Sequence, residues 1–284
     1  MAGAFDALKQ NSLGLRLIPI SIRELFFITH VPCDVFSQEN GLFTKIIDQG
    51  AIVDQALLRG LIHRKTLRPF VPLEGREKLV QMHQESLVQV TRSLSIGDPL
   101  EKAKKQLNLL TVNLVHLYRD TGNDQLLNLQ YQSIKNLASF LIENHGLHTE
   151  LFFEYQRQKH HYVYGQPMIS SLFVIGLLRM SHMFSAKEME TLFVTSYFKD
   201  IGMSSIPAEK YEQKKLSRTD RKVLLGHPRQ SVAILEGRLP LGPASLKIIE
   251  HHHSFSVLRN ESTDEAQEAS AQILSGIELV VVTV

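Results

Sequence analysis

The chain has 284 residues, 43% of them hydrophobic and 21% charged, a balance that belongs to globular proteins and excludes disordered or collagen-like classes. Lys and Arg number 31 against 29 Asp and Glu, so the net charge is +2 and nothing electrostatic points to nucleic acid or a polybasic membrane anchor as partner. A single cysteine, Cys33, excludes an internal disulfide framework and favours a reducing, cytoplasmic compartment.

The first residues, MAGAFDALKQ, lack the basic segment and apolar run of a signal peptide. LRLIPISI (15–22) reads as a strand, and CDVFSQ and GLFTKII flank Glu39-Asn40-Gly41, where Asn-Gly is a hairpin turn signal. AIVDQALLRGLI fits a short amphipathic helix. TLRPFVPL fits a closing strand whose prolines suit a sheet edge. Residues 1–75 are therefore expected to form a small α+β regulatory module.

From residue 76 the apolar spacing is helical. EKLVQMHQESLVQVTRSL makes one helix, broken at Gly97-Asp98-Pro99, where Asp98 suits an N-cap and Pro99 the first helical position. LEKAKKQLNLLTVNLVHLYRD makes a second, ended at Thr121-Gly122-Asn123, and QLLNLQYQSIKNLASFLIENHG a third, closing at Gly146. Residues 76–146 read as a helical connector whose long amphipathic helices are compatible with a homodimer.

The rest, 147–284, reads as a helical domain. ELFFEYQRQ and PMISSLFVIGLLRMSHMF are helical, the second apolar nearly all round and so buried. The apolar runs ISSLFVIGLLRM and IELVVVTV are too short to span a bilayer. Ser185-Ala-Lys-Glu188 is a capping box. A helix starting at Leu216-Ser217 carries GHPRQSVAIL, and ASLKIIEHHHS (244–254) closes the pattern before the polar SVLRNESTDEAQEAS. An apolar VVVTV is an odd place for a fold to stop, and reads as a truncation.

Polar residues interrupt these apolar helices at Lys199-Asp200, His227-Pro228 and His251–His253. A charged pair at the end of the apolar LFVTSYF costs desolvation energy unless the two groups pair or meet a ligand. The plain alternative is a surface helix end with Gly202 as its C-cap. Asp and His are transition-metal ligands, and several helices delivering one or two each is how an all-α fold builds a metal centre. A surface histidine before a proline, or a solvated histidine run, is the ordinary alternative. Successive helical residues point about 100° apart, so at most two of the three histidines share a site.

The run KDIGMSSIPAEKYEQKKLSRTDRKVLLGHPRQSVAIL resembles the HD-GYP family of bacterial signalling proteins. Ile201-Gly202, Ile206-Pro207, Lys215-Leu216-Ser217, His227-Pro228 and Ile234-Leu235 fall in the family's register, and a His-His pair follows at 252–253 or 251–252. The resemblance covers about residues 150–284. It implies a mainly α fold, with a C-terminal HD-type helical bundle preceded by an α+β module and a connector. Members with an intact motif are metal-dependent phosphodiesterases that cleave cyclic di-GMP with two or three bound metals, often iron or manganese.

This sequence departs from that pattern at several points. Lys199 stands where the family has the His of its His-Asp pair, and an ammonium has no lone pair to give a metal. Gln166-Pro167 stands near the first expected His ligand, with His160 and His161 nearly two turns upstream. Met203 replaces a lysine, His253 or Ser254 a glutamate, and SFSVLRNEST the Asp-Gly-x-Gly-Tyr-Pro passage. The resemblance therefore implies a degenerate member that acts by binding cyclic di-GMP or a signalling protein such as a diguanylate cyclase. In it, Lys199 and Asp200 take the catalytic positions, with Lys199 and Gln166 as ligand contacts. On this reading Lys199 holds a positive charge where a metal would otherwise sit. Asp200, His227, His252 and His253 form a residual metal set, with no cofactor expected, or iron or manganese where a metal is kept. The alternative is a divergent active phosphodiesterase whose reduced metal site adds His160 or His161. A third reading is a helical scaffold that binds no ligand.

Overall fold

The computed structural model describes residues 13, 14, 16–212 and 217–253. The closing segments SVLRNESTDEAQEAS and VVVTV, with the truncation read there, lie outside them, as does Leu15. Two compact units divide between Leu87 and Val88. Ten helices against four strands among the described residues make the protein mainly α.

The first unit is the α+β part. Strands β1 (Leu17–Pro19), β2 (Val35–Glu39), β3 (Leu42–Ile47) and β4 (Phe70–Pro72) form one antiparallel sheet in the order β1-β4-β2-β3. Asn40 (φ 50°) and Gly41 (φ 79°) make the β2–β3 turn in the left-handed region, which is what the Asn-Gly pair specifies. The strand with the prolines is not at an edge: β4 lies between β1 and β2. It tolerates them because it is only three residues long, with Pro72 at its last position and Pro69 just outside it. Helix α1 (Gln55–His63) starts on the Asp54 side chain, which accepts from Leu57 N at 2.8 Å. Ile20, Leu25, Val31, Val35, Leu61, Val71 and Leu79 make this unit's core. Leu79 comes from α2 (Leu73–Arg92), the helix inside which the division falls.

The second unit is helical. Helix α3 (Pro99–Arg119) begins with Asp98 as N-cap and Pro99 at N1, and α4 (Asp124–Glu143) begins on Asn123. The third predicted helix does not close at Gly146. It ends at Asn144, and Gly146 lies in the first turn of α5 (His145–Arg157), because a glycine without left-handed φ does not stop a helix. Helix α6 (Tyr162–Ser181) begins five residues before its internal Pro167. With 20 residues and a mean hydropathy of 1.2 it is long and apolar enough to cross a bilayer, so the shorter run read from sequence understated it. However, 61% of that window is buried within the protein, as in a core helix. Helix α7 (Ala186–Phe198) starts on the Ser185–Glu188 capping box and packs along α6 and α4. The helix expected from residue 216 is two helices, α8 (Arg218–Leu225) and α9 (His227–Leu235), parted at Gly226. Helix α10 (Pro243–His251) follows and packs on α9 and α7.

Candidate metal centre

Helix α7 buries Phe193, Val194, Tyr197 and Phe198, and its hydrogen bonding ends where Lys199 N donates to Thr195 O at 3.1 Å. The chain then turns through Asp200 into a short 3₁₀ segment (Ile201–Ser205). Lys199 is 0% and Asp200 3% exposed, so this is not a surface helix end, and Gly202 is not its cap. The Asp200 carbonyl accepts from Tyr118 OH of α3 at 3.1 Å. Gly202 N donates to Ser231 Oγ of α9 at 2.8 Å. A Cβ on Gly202 would lie 2.3 Å from His227 O and 2.7 Å from Ser231 N, so only glycine lets the two backbones approach this closely. That approach brings the start of α9, and with it His227, to Asp200.

Three donor atoms from three elements converge there. Asp200 Oδ1 lies 3.2 Å from His227 Nε2 and 3.1 Å from His252 Nε2, and the two Nε2 atoms are 3.2 Å apart. Each ring is fixed from behind: His227 Nδ1 lies 2.6 Å from Leu224 O, and His252 Nδ1 2.7 Å from Ile249 O. A carbonyl only accepts, so both Nδ1 atoms carry hydrogen and donate. In the neutral ring, Nε2 then points a lone pair at the other two atoms. Three acceptors at this spacing repel one another unless one proton or one cation lies among them. Donor atoms around a single ion at metal–nitrogen distances near 2.1 Å are separated by roughly 3.0–3.4 Å, and a ligating histidine typically donates its other N–H to a carbonyl. The donor set therefore fits one metal ion.

Lys199 Nζ donates to the other carboxylate oxygen, Asp200 Oδ2, in a fully buried ion pair. Burial alone would raise the Asp200 carboxyl, but the adjacent Lys199 charge opposes it, and the carboxyl is held well below the usual carboxylate range. His253 completes the cluster from an exposed position, its ring centroid 5.0 Å from His227 and 4.1 Å from His252. His251 Nε2 lies 3.8 Å from Glu250 Oε2 instead. The pair at the site is thus His252-His253.

The remaining sequence candidates are engaged in contacts of their own. Gln166 is buried and donates to Ser170 Oγ at 3.1 Å within α6. His160 stacks on Tyr155 at 4.4 Å and His161 packs on Tyr164 at 5.5 Å, both outside the donor cluster. Met203 is buried, and its carbonyl accepts from Tyr211 OH at 2.8 Å. Sequence reading missed Tyr118, Tyr211 and Ser231. Ser231 was findable, one turn beyond His227 on the same helix face. Tyr118 lies 82 residues from its partner and carries no local signal. Burial first, then the Asp200 charge, pushes both phenols above their ordinary value, so they remain neutral donors.

No family model and no curated protein matches the sequence. Among solved structures, one described as Bd1817, a HDG"Y"P protein from Bdellovibrio bacteriovorus, superposes with a TM-score of 0.61 at 12% identity. The match covers 92% of this chain and 86% of that one. The chain has the HD-GYP fold. The likeness extends over more of the chain than the motif-bearing residues, so it takes in much of the sequence before residue 150 as well.

Proposed function

We propose that this protein works in cyclic di-GMP signalling by binding, a nucleotide or a partner such as a diguanylate cyclase, and not by hydrolysis. The observation that carries this is the donor count: among the described residues the metal-ligating cluster consists of Asp200, His227, His252 and His253. One carboxylate and three imidazoles suffice for a single ion, whereas hydrolysis, as the HD-GYP resemblance implies it, uses two or three. Two-metal sites clamp attacking and leaving oxygens together, which a lone ion does not do.

When bound, one ion would supply Lewis-acid attraction for a phosphate oxygen. Asp200, His227 and His252 would hold it, with iron or manganese as the first ions to test. In this reading residues 147–284 are the ligand-binding HD-type domain, 76–146 its connector and 1–75 a regulatory module. Helices α3 and α4 of the connector pack on α6 and α7, and Tyr118 of α3 secures Asp200 from behind. A cytoplasmic location suits Cys33, whose buried thiol is pushed up to about 11 and is poorly reactive.

A divergent phosphodiesterase with a reduced metal site is the second reading, favoured by the convergence of three anchored donors at 3.1–3.2 Å. The test is chromatographic: manganese- or iron-loaded protein incubated with cyclic di-GMP, the products followed over time, and binding read in parallel by calorimetry. Binding without a linear product supports the proposal, whereas neither binding nor turnover favours the scaffold that binds no ligand. Turnover abolished by Asp200→Asn would overturn it in favour of the second reading.

A further inference from the structure

We infer that Lys199 is a built-in cation that restricts the Asp200 site to one metal ion and sets how tightly that ion is held. This rests on the single-ion reading above. Asp200 presents two carboxylate oxygens, and the surroundings divide them. Oδ1 faces His227 Nε2 and His252 Nε2 at 3.2 and 3.1 Å, while Oδ2 is taken by the Lys199 ammonium. A carboxylate commonly bridges two ions by giving one oxygen to each. With Oδ2 engaged by an ammonium that is 0% exposed, a second ion cannot take that oxygen without expelling a buried charge, and sharing Oδ1 would crowd it against the ion already held by His227 and His252.

Lys199 is held in place by more than its partner. It closes the last turn of α7 through its own N–H to Thr195 O at 3.1 Å, and it follows the buried Phe198. Beyond Lys199, Tyr118 fixes the Asp200 carbonyl and Ser231 fixes Gly202 N, so the backbone that carries the carboxylate is held on both sides. The ammonium and an ion among Asp200 Oδ1, His227 and His252 would share one carboxylate at short range. Like charges so placed in a dry site repel, and the ion is held more loosely for it.

The experiment is equilibrium dialysis against manganese(II), with metal per chain counted by mass spectrometry, on the full chain and three variants. Lys199→Gln, which removes the charge, should tighten the first ion by roughly tenfold or more, as expected for deleting a like charge at a few ångströms. Lys199→His, which adds a ligand, should raise the saturating count above that of the native chain. Lys199→Arg keeps the charge and should leave affinity near the native value. Circular dichroism identifies any variant that does not fold. In that event electron paramagnetic resonance of the manganese-loaded native chain decides: an isolated-ion spectrum supports the inference and an exchange-coupled pair overturns it. Native affinity and native count in folded Lys199→Gln and Lys199→His would also overturn it. Failure here is separable from failure of the functional reading, which is decided by whether the native chain turns over cyclic di-GMP.

Discussion

Each unit of this protein buries a carboxylate, a cation and a histidine together, and the two groupings differ in how completely they close. In the first unit Glu24 is 1% exposed. Its Oε1 accepts from Ser21 N at 3.0 Å, and its Oε2 lies 3.3 Å from Arg76 Nη1. His83 Nε2 donates to the Glu24 carbonyl at 2.6 Å. The charges there are matched, Glu24 by Arg76, and the grouping ties α2 to the 3₁₀ turn Ile22–Leu25. At Asp200 the ion pair with Lys199 is equally buried, yet Oδ1 and two imidazole nitrogens present lone pairs to one another. Buried charge alone therefore does not mark a site. Converging acceptors do.

That contrast can be broken in descending order of effect. Asp200→Asn removes the acceptor that balances Lys199 and leaves an ammonium buried alone, at a cost of about 3–5 kcal/mol. Urea unfolding should record that loss, and manganese binding should vanish with it. A loss below about 1 kcal/mol would mean that the Lys199 charge is balanced elsewhere.

The closed grouping should respond to acid. Burial lowers His83 from 6.5 to about 4, and the nearby Arg76 charge acts in the same sense against the Glu24 carbonyl. Its folded value lies below its unfolded one, so the unfolded chain binds more protons between them. Stability is full above pH 6.5 and falls as the pH drops towards 4. At about 1.4 kcal/mol per pH unit, the native chain should lose about 2 kcal/mol between about pH 7.5 and about pH 5. His83→Gln, which keeps a donor for the carbonyl, should flatten that slope relative to the native chain. An unchanged slope would assign the acid response to other groups.

An effect of similar size is expected at the support of the open grouping. Gly202→Ala sets a methyl 2.3 Å from a backbone oxygen, where nothing flexible can yield. Overpacking of this kind costs about 1–3 kcal/mol. It should also weaken metal binding, since α9 and His227 must retreat from Asp200. Native affinity in this variant would show that Gly202 serves the fold and not the site.

Local chemistry made much of the fold readable. Asn40-Gly41, Asp98-Pro99 and Ser185–Glu188 each specify a turn or cap within four residues, and each stands where expected. What failed was decided by distant pairing or by competition between neighbours. The interior place of β4 depends on pairing with distant strands, Phe70 with Phe36 of β2 and Pro72 with Leu17 of β1. Gly226 parts α8 from α9 although GHPRQSVAIL reads as continuous. At the site, residue types and spacing singled out Lys199, Asp200, His227 and the histidine run, but not which oxygen each would face. The division of Asp200 between an ammonium and two imidazoles exists only once α7, α9 and α10 are packed.

The most direct measurement is the number of transition-metal ions per native chain after saturation with manganese or iron, by inductively coupled plasma mass spectrometry. The account predicts no more than one, lost in Asp200→Asn. Two or more ions per chain, removed together by that substitution, would contradict it.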